Sequence, residues 1–188
     1  MCIRDRLKTM NMMIEVDVLL IRQIELKYLT KIKKLYYLLA LETGKSPNVS
    51  KLAETIDTSR ATVMNYIKYL ADARLLNIIY HQGSVFPKKP AMVVVNNPNL
   101  IYTVYPRNFG DREILNSFFI NQLRKDHTVN KERATDAYRI DGETSVRISA
   151  EGEGESRARG KKNYYTASSG LVVGKGRKIP LWLFGFLY

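Results

Sequence analysis

Between residues 49 and 77 the apolar positions recur at three- and four-residue intervals, in two blocks separated by a short polar break. This spacing places the apolar side chains of each block on one face of a helix. The first block therefore predicts a short helix and the second a longer one. The apolar positions are Leu52, Ala53 and Ile56 in the first block, and Val63, Tyr66, Ile67, Leu70, Leu75 and Leu76 in the second.

The break between the blocks is typical of a tight turn. It consists of Asp57 and Thr58, and Ser59 follows in position to cap the second helix. A short helix, a turn and a longer helix predict a helix-turn-helix, whose second helix could enter the major groove of DNA. The alternative is a helix pair that packs against a third helix and touches no nucleic acid. The candidate DNA-binding residues here are Ser59, Arg60, Thr62, Asn65 and Lys68.

A third helix is predicted upstream of this pair. Tyr28–Glu42 carries apolar residues at helical spacing, and Gly44 follows as a typical stop signal. It would supply the first helix of a three-helix core.

A strand hairpin is predicted downstream of the pair. Ile78–Tyr80 and Ala91–Val95 have the composition of strands, and the loop between them is basic. Such a hairpin would be the wing of a winged helix spanning residues 27–97. Lys88 and Lys89 in the loop are candidates for phosphate contacts. Alternatively, they only keep an exposed hairpin tip soluble.

The remaining segment has a different pattern. Asp111–Lys125 predicts a helix, and Asp136–Gly142 predicts a strand that enters a turn. Residues 143–162 contain almost no large apolar side chains and predict disorder. Residues 179–188 are strongly apolar but too few to cross a bilayer, so a buried terminal segment is expected.

Composition narrows the class of protein and partner. The chain has 188 residues, enough for one domain or two small ones, and a formal net charge of +12. A charge of this sign favours anionic partners, of which nucleic acid is the commonest. The single cysteine, Cys2, excludes an internal disulfide and a cysteine-based zinc site. We expect a cytoplasmic protein without a membrane partner.

The opening residues look foreign to the rest of the chain. Back-translation of residues 1–6 gives a sequence that resembles a transposase sequencing adaptor read as coding sequence. We therefore expect these residues to be an artefact and the natural N-terminus to be missing. Residues 7–26, of mixed apolar content, predict a linker or a helix.

Four segments resemble one protein family. They are TSRATVMNYIKYLADARLLN, KKPAMVVVNNPNLIYTV, REILNSFFINQLRK and GKGRKIPLWLFGFLY. In order and spacing they are similar to the C-terminal half of bacterial AAA-type ATP-binding proteins. The resemblance implies an α+β fold: a winged helix-turn-helix, followed over residues 98–188 by a small, incomplete domain like the PD-(D/E)xK nuclease fold. It also implies that ATP and magnesium bind in a preceding ATPase domain.

The sequence departs from this family at the phosphate-binding loop. No G-x-x-x-x-G-K-[ST] occurs, and the nearest string, Gly170–Gly176, is one residue short and lacks the magnesium-binding hydroxyl. We therefore expect this chain to bind no cofactor and no metal, and to hydrolyse no ATP.

It departs again at the nuclease-like site. Glu113 and Asp136 match the first two acids of the family pattern, but the Glu-x-(x-x)-Lys expected after Gly142 is missing. The two acids are therefore vestigial candidates, and no complete catalytic site is predicted. Loss and recovery of the match across residues 143–162 suggest a reading-frame error in the underlying sequence; the alternative is a natural degenerate site.

Three functions remain open at this point. The first is a C-terminal fragment of an AAA-type ATP-binding protein that acts as a DNA- or protein-binding accessory module. The second is a free-standing winged-helix regulator, and the third is a degenerate metal-dependent nuclease. The expected partners are double-stranded DNA, a protein, or a second copy of the chain.

Overall fold

The computed structural model describes residues 3–18, 25–104, 110–153 and 163–187. Within these ranges the chain is a mixed α+β protein with a seven-stranded mixed sheet. The α-helices are α1 (Ile3–Met13), α2 (Leu29–Leu41), α3 (Val49–Thr55), α4 (Arg60–Asp72), α5 (Pro98–Val104) and α6 (Asp111–Leu123). A π-helical turn, Ile14–Val18, continues α1, and short 3-10 helices cover Leu26–Tyr28 and Leu181–Phe186.

The sheet runs in the order β2-β1-β3-β4-β5-β6-β7. β1 pairs parallel with β3, β5 with β6, and β6 with β7, while the other neighbours are antiparallel. The strands are β1 (Leu76–His81), β2 (Met92–Val95), β3 (Val129–Lys131), β4 (Ala137–Ile140), β5 (Thr144–Ser149), β6 (Tyr164–Ser168) and β7 (Lys178–Pro180).

Strand β2 is buried on both faces. Val93 and Val95 belong to a hydrophobic cluster formed with α2, α3 and α4, whereas Met92 and Val94 belong to a second cluster formed with α6 and the later strands. The alternation follows from strand geometry, because successive side chains point to opposite faces. The β1–β2 hairpin therefore joins the two cores, and no break in the sheet marks the predicted boundary at residues 97 and 98. The division into two domains stays a prediction.

Side-chain caps fix the first residues of α3 and α4, the two helices of the predicted helix-turn-helix. Asn48 accepts a hydrogen bond from the Lys51 amide at 3.2 Å, and Ser59 accepts one from the Thr62 amide at 3.1 Å. Each satisfies an amide that has no partner inside its helix. The prediction that Ser59 caps the second helix is confirmed.

The end of α4 differs from the sequence pattern. The apolar face was predicted to continue through Leu75 and Leu76, but α4 ends at Asp72 and Leu76 opens β1. Arg74 adopts a left-handed conformation with φ of 56°, and the Leu75 amide donates to the Leu70 carbonyl at 2.9 Å. This bond closes the helix in the manner of a Schellman motif.

The other predicted helices and strands can be compared with the structure one by one. The helices at residues 28–42 and 111–125 and the strands at residues 78–80, 91–95 and 136–142 are confirmed with shifts of a few residues at their ends. Within the predicted linker or helix of residues 7–26, the residues up to Val18 are helical, and residues 19–24 lie outside the described residues. None of the helices in the described ranges has the length and apolarity that a membrane span requires.

Two predictions for the C-terminal region need correction. Disorder over residues 143–162 is wrong for residues 144–149, because β5 buries Val146 and Ile148 and pairs with a strand on each side; residues 154–162 lie outside the described residues. The apolar terminal segment is only partly buried. Leu181 is 3% exposed, but Trp182 is 49% and Phe186 is 61% exposed.

Candidate nucleic-acid interface

Helix α4 presents a polar face opposite its buried one. Val63, Ile67 and Leu70 are fully buried in the helical core. At 100° per residue, Asn65 and Lys68 lie on the opposite side, which is the side that faces away from that core. Asn65 is exposed and Lys68 is partly exposed. The structure therefore brings these two predicted residues onto one outward face.

The other candidates on α4 lie at its N-terminal end. Arg60 is its first residue and is exposed. The Ser59 and Thr62 hydroxyls lie 2.8 Å apart and bond to each other, in addition to the cap. Ser59 and Thr62 are thus engaged in starting the helix, and Arg60 is the residue of this group whose charge faces solvent.

The hairpin loop folds back onto α4. In the loop between β1 and β2, the Phe86 ring centroid lies 5.6 Å from the Lys68 ammonium. A cation at this distance over an aromatic face is attracted by the ring. Lys88 and Lys89 follow two and three residues later and are exposed. The contact therefore connects helix α4 with the hairpin loop. These two elements carry the four predicted cations, Arg60, Lys68, Lys88 and Lys89.

A groove of about 580 Å³ opens beside this assembly. It lies between the C-terminal end of α4, β1 and the C-terminal end of α6, and Phe86 forms part of its wall. Its cationic side chains are Lys68, Arg74, Arg124 and Lys125. Among the described residues that line it, Asp72 is the only acid, 3.9 Å from Lys68. We call this feature the basic groove.

Arg124 fixes one side of the basic groove. β3 pairs with β1 only at Tyr80 and His81, so the edge of β1 before Tyr80 carries no strand on that side among the described residues. There the Arg124 guanidinium donates to the Ile78 carbonyl at 2.5 Å. Desolvation lowers the pKa of Arg124, an effect that the nearby Tyr80 partly opposes. The group nevertheless stays cationic, because guanidinium groups do not lose their proton in proteins.

Amide and aromatic side chains complete the lining. Asn77, Asn96 and Asn121 contribute amides, and Tyr80 and Phe86 contribute rings. Asn77 is only 8% exposed, and its Nδ2 atom has no hydrogen-bond partner among the described residues. Burial raises the pKa of Tyr80, partly opposed by Arg124. The groove is thus lined by cationic, amide and aromatic residues.

The two vestigial acid candidates have different surroundings. Glu113 lies in the first turn of α6. Its carboxylate oxygen Oε2 lies so close to Gly110 that a Cβ atom at that position would be 2.7 Å away. Asp136 instead accepts hydrogen bonds from Arg112 and from Lys131, the latter at 2.8 Å. Arg112 also binds both carboxylate oxygens of Glu153, at 2.8 and 2.9 Å. In the described part of the chain no three His, Cys, Asp or Glu side chains cluster as metal ligands.

Comparison with known proteins gives one match. The model of a family described as a domain of unknown function (DUF8612) matches residues 4–91, which contain α1 without its first residue, α2 to α4, β1 and the hairpin loop. No curated protein and no solved structure matches the chain.

Sequence reasoning missed most of the basic groove. Arg74 and Asn77 lie just beyond α4, and Arg124 and Lys125 lie at the end of α6, about 50 residues later along the chain. Lys68 was the only cation of the groove among the predicted residues. The adjacent basic pair Arg124-Lys125 was a weak local signal, but only the packing of α6 against the hairpin brings it to β1.

Proposed function

We propose that this protein binds double-stranded DNA through α4 and the hairpin loop, arranged as a winged helix. The observation that carries the proposal is the contact between Lys68 and Phe86, which joins the outward face of α4 to the loop that carries Lys88 and Lys89. A helix with a polar face and an adjacent basic loop is the arrangement by which winged helices reach a major groove and the neighbouring phosphates.

The residues divide into two roles. Asn65 is the candidate reader of a base edge, because an amide can bond bidentately to adenine. Arg60, Lys68, Lys88 and Lys89 would contact phosphates and supply most of the affinity, since each neutralised phosphate releases counterions. The formal net charge of +12 supports an anionic partner.

The resemblance to AAA-type ATP-binding proteins supports a wider context. We infer that the chain is a cytoplasmic accessory module of such a protein, and that ATP and magnesium bind elsewhere in the parent. If duplex binding fails, a protein partner or self-association through the same surface becomes the better proposal.

Charge reversal on α4 tests the proposal. The full chain is titrated against a fluorescent duplex of about 20 base pairs at low salt. We expect R60E combined with K68E to abolish binding while the thermal transition is retained. The matched control is K175E, because Lys175 is an exposed lysine beside β7, at the opposite edge of the sheet. A double variant that binds the duplex as tightly as this control would refute the proposed surface.

A further inference from the structure

We propose that the basic groove binds one unpaired nucleotide at the point where a single strand leaves a duplex. The inference rests on the proposed duplex binding, because the groove opens beside α4 and shares Lys68 with it. It names the preferred substrate class as a duplex with a single-stranded overhang.

The dimensions of the groove set the size of its occupant. Pockets that hold small ligands have volumes of about 300–1,000 Å³, and the basic groove, at about 580 Å³, lies within that range. A duplex cannot enter a space of this size. A nucleotide released from base pairing can, and a neighbouring duplex on α4 would place it at the entrance.

The charges of the groove fit a phosphate. Lys68, Arg74, Arg124 and Lys125 face one acid, Asp72, so the lining is cationic. Arg124 uses Nη1 for the Ile78 carbonyl, and a guanidinium has further N–H groups that can bind an anionic oxygen. Charge-assisted hydrogen bonds of this kind are stronger than neutral ones.

Aromatic rings on the wall fit a base. Phe86 and Tyr80 both line the groove, and bases of any sequence can stack on an aromatic face. A peptide strand is the alternative occupant, because the edge of β1 is open before Tyr80. That alternative is disfavoured because the Arg124 guanidinium already occupies the Ile78 carbonyl that an added strand would need.

The test compares two DNA substrates with the full chain. One is a blunt duplex, and the other is the same duplex with a short oligothymidine overhang. We expect the wild-type protein to bind the overhang substrate about tenfold more tightly. Arg74→Gln removes one cation of the groove at an exposed position, so it should fold normally and lose the overhang advantage. Lys125→Gln, at an exposed position, gives a second variant, and Lys175→Gln is the matched control.

The outcomes separate this inference from the proposed function. Blunt-duplex binding with no overhang advantage overturns the nucleotide site and leaves duplex binding standing. An advantage that persists in both Arg74→Gln and Lys125→Gln also overturns it. Loss of the advantage in both variants, with the control unchanged, supports it. Binding of free thymidine monophosphate that depends on Arg74, without any overhang advantage, would assign the groove to free nucleotides and contradict the junction substrate.

Discussion

The Lys68 ammonium lies 5.6 Å from the centroid of the Phe86 ring, and this contact ties α4 to the hairpin loop. Phe86→Ala would release the loop and with it Lys88 and Lys89. A cation–π contact at an exposed site contributes about 0.5–1 kcal/mol, so we expect roughly two- to fivefold weaker duplex binding. Fluorescence anisotropy measures the change.

Val85 provides the control for this prediction. It precedes Phe86 in the same loop and is 69% exposed. Val85→Ala should leave the affinity unchanged. Equal losses in both variants would indicate that the loop matters through its general conformation and not through the contact with Lys68.

Arg74 links stability to binding. Its φ of 56° lies in the left-handed region, where glycine is favoured and other residues are strained. Arg74→Gly should raise the free energy of unfolding, because it relieves the strain in the folded state. The gain should be about 1 kcal/mol or less, since glycine also gives the unfolded chain more conformational freedom. It should also weaken binding of the overhang substrate, because a cation leaves the basic groove.

Arg74→Ala separates the two effects. It removes the same charge but keeps a Cβ in the left-handed conformation, so it should weaken binding without the gain in stability. Denaturant unfolding of both variants measures this difference. A glycine variant no more stable than the alanine variant would contradict the account of strain at this position.

Features that depend on residues close together in the sequence could be predicted, and features that depend on distant residues could not. Caps and amphipathic faces are local, so Ser59 and the buried face of α4 could be predicted. The strand at residues 144–149 could not, because Val146 and Ile148 are two isolated apolar residues in a polar segment, and their burial depends on strands β4 and β6 on either side. The terminal apolar segment was misjudged for the converse reason, since hydrophobicity alone did not reveal how much of Trp182 stays exposed.

The site shows the same limit. Lys88 and Lys89 could be proposed from the sequence because they lie in a basic loop between two predicted strands. The basic groove could not be found, because α6 reaches β1 only in the folded chain.

Arg112 should make stability depend on acidity. Its hydrogen bond lowers the pKa of Glu153 below the ordinary 4.5. Partial burial raises the pKa of Asp136, but Lys131 and then Arg112 lower it below the ordinary 3.8 overall. A carboxylate whose pKa is lowered in the folded protein stabilises the fold at pH values above its ordinary pKa. This contribution is lost as the pH falls through the pKa of the folded state.

Arg112→Gln tests this dependence. We expect it to melt at a lower temperature than wild type at pH 7, and the difference to narrow as the pH falls below about 4. Thermal melts across this range measure the effect, with Arg133→Gln, an exposed arginine in the β3–β4 loop, as control. A difference that stays constant with pH would show that Arg112 acts through packing instead.

Catalysis by this chain is not expected. Asp136 is bound by Arg112 and Lys131, and the Glu and Lys expected after Gly142 to complete the nuclease-like site are missing from the sequence. We expect no cleavage of plasmid DNA with magnesium or manganese and no hydrolysis of ATP. Cleavage that disappears in Asp136→Ala would restore the nuclease hypothesis.

The salt dependence of duplex binding tests the central claim most directly. Each phosphate contact contributes about −0.9 to the slope of log affinity against log salt, so contacts from Arg60, Lys68, Lys88 and Lys89 predict a slope of about −3.6. The combined variant Lys88→Gln and Lys89→Gln should reduce that slope in magnitude by about 1.8. Absence of duplex binding by the folded wild-type chain at about 50 mM salt, or an unchanged slope in the variant, would contradict the proposed winged-helix interface.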